Sequence, residues 1–206
     1  MHEKQRQTPI VKDSGKRKFR ILRPSEYVLL RDAAGSLENQ TRLDALLLTG
    51  ARYVECQRLH EHPEWLDGRF AHLPAEASRK VLRRQRERWV WLSSKGVTVL
   101  PYFFEGKQLP GWKAWERNMR RWAEKAALDP AYISAKSTRK SWESWLVYYC
   151  PNQIQAIFLS QGHTEITALK HYVNLPFTEE DRRDMKEWVE GWVDTPTRKR
   201  RGILAL

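Results

Sequence analysis

Apolar positions along the chain fall into three regimes. Residues 1–22 show no apolar period, carry Pro9 and Gly15 as breakers, and read as a basic flexible arm. From Arg23 a helical period sets in, and a compact domain is expected to begin there. Pro24-Ser25-Glu26 ahead of Tyr27, Leu29 and Leu30 predicts a helix start with Ser25 as its cap. Leu43, Leu46 and Leu47 recur at helical spacing as far as Thr49-Gly50, and residues 52–59 predict a second short helix. Between Pro63 and Leu100 the period changes. Residues 65–73 and 88–92 are short, aromatic and β-branched, and predict strands of a small antiparallel sheet with Gly68 and Pro74-Ala75-Glu76 as turns.

From Trp112 onward the pattern is helical again, over 112–127, 138–149, 152–160, 164–171 and 179–192. Asp129-Pro130 and Cys150-Pro151 divide these runs, because the residue before a proline disfavours helical geometry. Thr178, with Asp181 three positions on, makes a near capping box for the last helix. Its Met185, Trp188, Val189 and Trp192 form one apolar stripe, with Arg182, Arg183 and Lys186 off it. The pattern predicts an α+β fold, mainly α: a basic arm at 1–22, a domain over 23–193, and a basic then apolar tail at 194–206. No internal repeat is visible.

Composition narrows the class. The chain of 206 residues is 30% charged and 41% hydrophobic, with ten Trp, seven Tyr and six Phe to fill a core. No run of about 18 apolar residues is present, and the first residues lack the apolar stretch of a signal peptide. Cys56 and Cys150 are too few for a disulfide scaffold and fit a reducing, cytoplasmic setting. A net charge of +12 alone fits any basic protein, but its distribution is uneven. Residues 1–20 hold seven Lys/Arg against two acids, and residues 79–88 hold six against one, including Lys80, Arg83, Arg84 and Arg86. Arg117, Arg120, Arg121 and Lys125 interleave with Trp115 and Trp122, and Arg198 to Arg201 form a basic tail, while acids gather at 179–184 and near Glu61 and Glu64. Such segregation favours a nucleic-acid partner, with Arg83, Arg84, Arg86, Arg117, Arg120 and Arg121 as candidate DNA contacts.

Candidate chemistry follows the helix ends. Arg52 starts a helix directly after the Gly50 turn, where unpaired N–H groups and the helix dipole already favour an anion. Lys136 and Arg139 open another helix at a spacing that puts both on one face. Gly162 ends a helix, His163 follows, and Tyr172 lies nine residues further, just before Asn174-Leu175-Pro176. Each feature alone has an ordinary structural explanation: a solvated arginine, a cap with basic surface, or a core histidine or tyrosine. The six histidines show no ligand spacing with the cysteines, so no metal and no cofactor is expected.

Taken in order, these segments resemble the tyrosine recombinase (phage integrase) family. Thr49-Gly50-Ala51-Arg52-Tyr53-Val54-Glu55 is similar to the family's TGLRxxE box, Arg139 to the arginine of its His-x-x-Arg motif, and Gln161-Gly162-His163 to its LGH box. The 24 residues from Arg139 to His163 suit the family, and Tyr172 stands where the nucleophile is expected. The resemblance covers roughly residues 23–193 and implies the tyrosine-recombinase catalytic fold. Three features depart from it. Lys136 stands where most members have His, which with the Asn174-Leu175-Pro176-Phe177 ending looks more like integrases of archaeal viruses and plasmids. The family's β-hairpin lysine is best matched by Lys80, with Lys95 as rival. The usual N-terminal core-binding domain is not visible ahead of residue 23, as in a catalytic fragment, a split-gene product or a minimal enzyme.

The resemblance implies site-specific integration or excision through a covalent 3′-phosphotyrosine at Tyr172, without ATP or metal. Arg52, Arg139 and Lys136 would hold the scissile phosphate, His163 would donate a hydrogen bond or assist proton removal, and Lys80 would protonate the leaving 5′ oxygen. Expected partners are a double-stranded attachment site and further copies of the chain, as a tetramer joined by exchange of the C-terminal helix or tail; for residues 179–192 the alternative is a helix closing its own core. Two rival functions remain: type IB topoisomerase-like relaxation, and a non-catalytic DNA-binding regulator of the same fold.

Overall fold

The fold is organised around one helix whose polar letters are as buried as its apolar ones. The computed structural model describes residues 8–13, 18–77, 87–163 and 175–192. Within these, α6 (Ser137–Tyr149) buries ten of its thirteen residues, including Arg139, Glu143, Trp142 and Trp145. That enclosure follows from its neighbours: α2 (Leu37–Thr49), α7 (Ile154–Gln161), α8 (Glu179–Val189) and a strand all pack against it. α2 contributes Leu43 and the run Ala45 to Leu48, all fully buried, and ends at Gly50 in the left-handed region. α3 (Tyr53–Glu61) starts immediately afterwards with Arg52 as its N-cap.

α1 (Pro24–Ala33) is capped by Arg23 rather than Ser25. Pro24 takes the first helical position, where its missing N–H costs nothing, and Glu26 accepts from the Arg23 backbone N–H at 2.9 Å. The expected sheet forms as β3 (Leu66–Asp67), β4 (Phe70–Leu73) and β5 (Arg88–Trp91) in that order, antiparallel, with Phe70 opposite Trp91 and Leu73 opposite Arg88. Period-two geometry turns Arg88 and Val90 inward and leaves Trp89 exposed. The predicted α+β class, mainly helical with small antiparallel sheets, describes the protein.

The structure changes one expectation, adds a helix and favours one of two readings left open. The arm expected over 1–22 is not flexible throughout: β1 (Ile10–Asp13) and β2 (Lys18–Ile21) form an antiparallel hairpin with Ile10 opposite Ile21, and β2 packs on α6. A buried arginine explains why the pattern concealed it. Arg20 points into the core, pairs with Glu26 at 2.6 Å and donates to the Asp129 carbonyl at 2.6 Å. The second change is α4 (Ser94–Glu105), which the sequence did not mark as a helix. Val97, Thr98, Val99 and the aromatic run at 102–104 have low helix propensity, and Pro101 sits inside it, yet its packing against α2 prevails. Lys95 accordingly belongs to a helix and not to the sheet, where it pairs with Glu187 and lies 3.6 Å from the Trp188 ring centroid. Third, α8 closes the chain's own core: Met185, Trp188, Val189 and Trp192 are buried, with Trp188 edge-on to Tyr27 at 5.0 Å. The apolar stripe is therefore occupied internally, and exchange between copies would fall to 194–206, outside the described residues. The Thr178–Asp181 capping box forms as expected. No described helix is long and apolar enough to cross a membrane.

Candidate anion-binding site

Two left-handed glycine elbows bring the candidate residues together. Gly50 joins α2 to α3, and Gly162 ends α7, with φ of +55° and +67°. Any side chain at either position would be strained, and would also strike a neighbour: a Cβ on Gly50 would lie 2.8 Å from Trp142 Cδ1, and one on Gly162 would lie 2.8 Å from Arg88 Cδ. The elbows thus set Arg52 beyond one turn and His163 beyond the other, around the buried face of α6.

Arg139 crosses between them. Its Nη1 donates to the Gly50 carbonyl at 2.5 Å and its Nη2 to the Gln161 carbonyl at 2.5 Å. These are acceptors at the C-terminal ends of α2 and α7, where helix dipoles favour a cation. Nη2 also pairs with Glu143 at 2.9 Å. Glu143 Oε1 receives His163 Nε2 at 2.9 Å, and its Oε2 faces Lys140 Nζ at 3.4 Å. On the other side, Glu55 collects Arg52 Nη1 at 2.7 Å and Arg88 Nη2 at 2.5 Å. Glu55 and Glu143 are each 1% exposed in their side chains, whereas that of Arg52 is 43% exposed. Two buried carboxylates thus fix three guanidiniums and a lysine, and the cluster stays net positive with Arg52 on its open side.

The electrostatics agree with that layering. Burial pushes the Glu143 carboxyl up, but Arg139, the His163 hydrogen bond and Lys140 outweigh it and hold Glu143 well below the ordinary glutamate range. Burial likewise opposes Arg88, Arg52 and Arg139 at Glu55, and the arginines again prevail. Arg52 is lowered to about 10, first by burial and then by Arg139, with Glu55 acting in the opposite sense. Burial also lowers Lys140, against the pull of Glu143. Both carboxyls titrate lower in the folded state than in the unfolded state. Their stabilisation is therefore complete above the ordinary glutamate value, about 4.3, and is lost as pH falls below it toward the folded values. Thermal melts between pH 7 and pH 3 should show the melting temperature falling steeply below about pH 4.5. That acid limb should be shallower in Glu143→Gln, and an unchanged limb would show that Glu143 is not held ionised.

Of the sequence-predicted residues, the fold brings Arg52, Arg139 and His163 to one cluster. Lys136 is the N-cap of α6 and exposed, close enough to lower Lys140 but with no part in the buried ion pairs described. Arg117, Arg120 and Arg121 form a separate exposed patch on α5 (Trp112–Lys125) with Lys113, Glu116 and Glu124, while Trp115, Met119 and Trp122 face inward. Lys80, Arg83, Arg84, Arg86 and Tyr172 lie outside the described residues. Arg88, Lys140 and Glu143 were not singled out from sequence. The usable signals were the inward place of Arg88 in the β5 alternation and the i,i+4 spacing of Arg139 and Glu143.

In comparisons with known proteins, no family model matches the chain and no curated protein matches it. The class is accordingly defined by the molecule itself: an α+β protein, mainly helical, with an arginine-rich cluster at two helix-end elbows.

Proposed function

We propose that this chain is a site-specific DNA strand transferase of the tyrosine-recombinase type, with the catalytic fold of that family, which cuts and rejoins an attachment site through a covalent 3′-phosphotyrosine at Tyr172. The observation that carries the reading is the convergence of Arg52, Arg139 and His163, three separate boxes in sequence, on one net-positive cluster. A phosphodiester carries a full negative charge and gains more during displacement. Planar guanidiniums meet its non-bridging oxygens with paired N–H donors, already oriented by Glu55, Glu143 and two backbone carbonyls. Arg52, on the open side, makes first contact with the phosphate; Arg139, behind it, supplies field and orientation. His163 serves the attacking phenol or the phosphate, and Lys80 remains the candidate donor to the 5′ oxygen. The segregated basic charge holds duplex DNA, with Arg117, Arg120 and Arg121 as one contact patch. Further copies of the chain assemble on the attachment site within the cell.

The test has two stages. Sites are first selected from random duplex DNA by binding. A nicked suicide substrate built on the selected site is then incubated with the protein, and any covalent adduct is digested and mapped. The expected result is DNA linked to the peptide that contains Tyr172. Binding without an adduct, or linkage elsewhere, overturns the reading; relaxation of plasmids lacking the site would point to a topoisomerase.

A further inference from the structure

Arg88 occupies a place where a strand ordinarily carries an apolar side chain. It stands on the inward face of β5 with Val90, its side chain 5% exposed. It grips Glu55 through both carboxylate oxygens, Nη1 to Oε1 at 3.2 Å and Nη2 to Oε2 at 2.5 Å. Each of those oxygens also accepts from Arg52: Oε1 from Nη1 at 2.7 Å, and Oε2 from the backbone N–H at 2.8 Å. Glu55 thus serves two arginines with one charge. Among the described residues no other hydrogen bond engages the Arg52 guanidinium, so its Nε and Nη2 remain as donors on the open side.

The balance of charge gives Arg88 its consequence. Glu55 and Arg52 alone would make a neutral pair with little attraction for a further anion. Arg88 already matches Glu55, and its planar fork fixes the plane of the carboxylate that holds Arg52. Arg52 is then aimed by Glu55 without being neutralised by it. Like charges also stay in tension: burial and Arg139 lower Arg52 to about 10, Arg88 adds to that lowering, and Glu55 opposes it. An anion on the open side relieves the repulsion. The stem of Arg88 reaches the second elbow as well, since a Cβ on Gly162 would lie 2.8 Å from its Cδ and 3.3 Å from its Nε. An apolar residue could fill that space but not carry the charge. We infer that Arg88 is a positioning residue of the anion site: by offsetting Glu55 it leaves Arg52 oriented, with its full charge available to a phosphate oxyanion. That the phosphate belongs to a DNA backbone rests on the strand-transfer reading; the grip on an oxyanion does not.

The test titrates the full chain with inorganic phosphate at low ionic strength, followed by phosphorus NMR, with Arg52→Ala marking the share bound at this cluster. Arg88→Met keeps much of the stem and removes the charge, and that share should weaken on the order of 10-fold. Arg88→Lys keeps the charge without the fork and should recover part of the loss. The deciding arm combines Arg88→Met with Glu55→Gln. This double variant leaves no buried charge unpaired, so it is expected to fold even where Arg88→Met does not, and it returns to Arg52 an uncompensated charge. It should bind phosphate more tightly than Arg88→Met and approach the wild type. A purely structural Arg88 predicts the reverse, because loss of a second partner would compound the damage. Binding by Arg88→Met equal to that of the wild type, or by the double variant as weak as that of Arg52→Ala, overturns the proposal. So does wild-type binding indifferent to Arg52→Ala. Single-turnover cleavage of the suicide substrate should follow the same order. No adduct from the wild type, with phosphate binding ordered as expected, removes the strand-transfer reading and leaves Arg88 in its role.

Discussion

Arg52→Ala should slow strand cleavage by about 10²–10³-fold while leaving the fold in place, the range seen when one preorganised oxyanion donor is removed. The separation of activity from stability follows from where the charge sits. The Arg52 side chain is 43% exposed, and the backbone N–H of Arg52 still donates to Glu55 at 2.8 Å after truncation. Glu55 also keeps Arg88, bound through both carboxylate oxygens at 3.2 and 2.5 Å, so no buried charge is orphaned. Arg139→Ala would behave differently. It strips the Gly50 and Gln161 carbonyls of their donor and leaves Glu143 a cation short, so fold and activity fall together. Arg52→Lys should recover only part of the rate, since an ammonium cannot present paired donors to a phosphate. Cleavage rates on the suicide substrate, read beside thermal melts, separate these cases. A rate for Arg52→Ala close to that of the wild type would remove Arg52 from the phosphate site.

The contrast between these two arginines also shows what sequence conveys. Gly50-Ala51-Arg52 and Gln161-Gly162-His163 were legible because an elbow leaves a local mark: a glycine where φ is positive, then a residue at a helix end. The partners that hold the charges in place leave no such mark. Glu143 stands in Ser-Thr-Arg-Lys-Ser-Trp-Glu-Ser-Trp, where binary patterning assigns a polar letter to the surface, yet α6 is enclosed on nearly every side and that letter is core. Arg20 misled in the same way. Buried beside Glu26, it made an inward strand position look like part of a basic arm. α4 went unmarked for another reason: its β-branched and aromatic residues carry little helix propensity, and the Ser93 cap and packing against α2 and α8 select helix. The sequence periodicity of α8 was right, but an apolar stripe looks the same whether it covers its own core or a neighbour's. Tyr27, Trp145 and Trp188, distant in sequence, decide that question by meeting as three rings.

Gly50→Ala is expected to cost about 2–5 kcal/mol, the sum of a left-handed backbone for a residue with a Cβ and overpacking of a filled site. Against a total stability of roughly 5–15 kcal/mol, that lowers the melting temperature by on the order of 10 °C. The new methyl would meet the Gln161 carboxamide and lie 2.8 Å from Trp142 Cδ1, and both of those side chains are fully buried. Trp142 has no room to withdraw. Displacing Gln161 moves the end of α7 that supplies one Arg139 acceptor, while the altered elbow moves the other. One methyl group therefore disturbs both anchors of Arg139 at once, and cleavage should fall even at temperatures where the variant stays folded. Adding Gln161→Ala separates the two costs: it removes the carboxamide in the way but neither the backbone strain nor the Trp142 contact. The double variant should then melt above the value expected from adding the two single effects. Strict additivity would mean that the elbow moves away from α7 instead of pressing on it, and that the two halves of the arginine cluster are held together less rigidly than the shared grip on Arg139 implies.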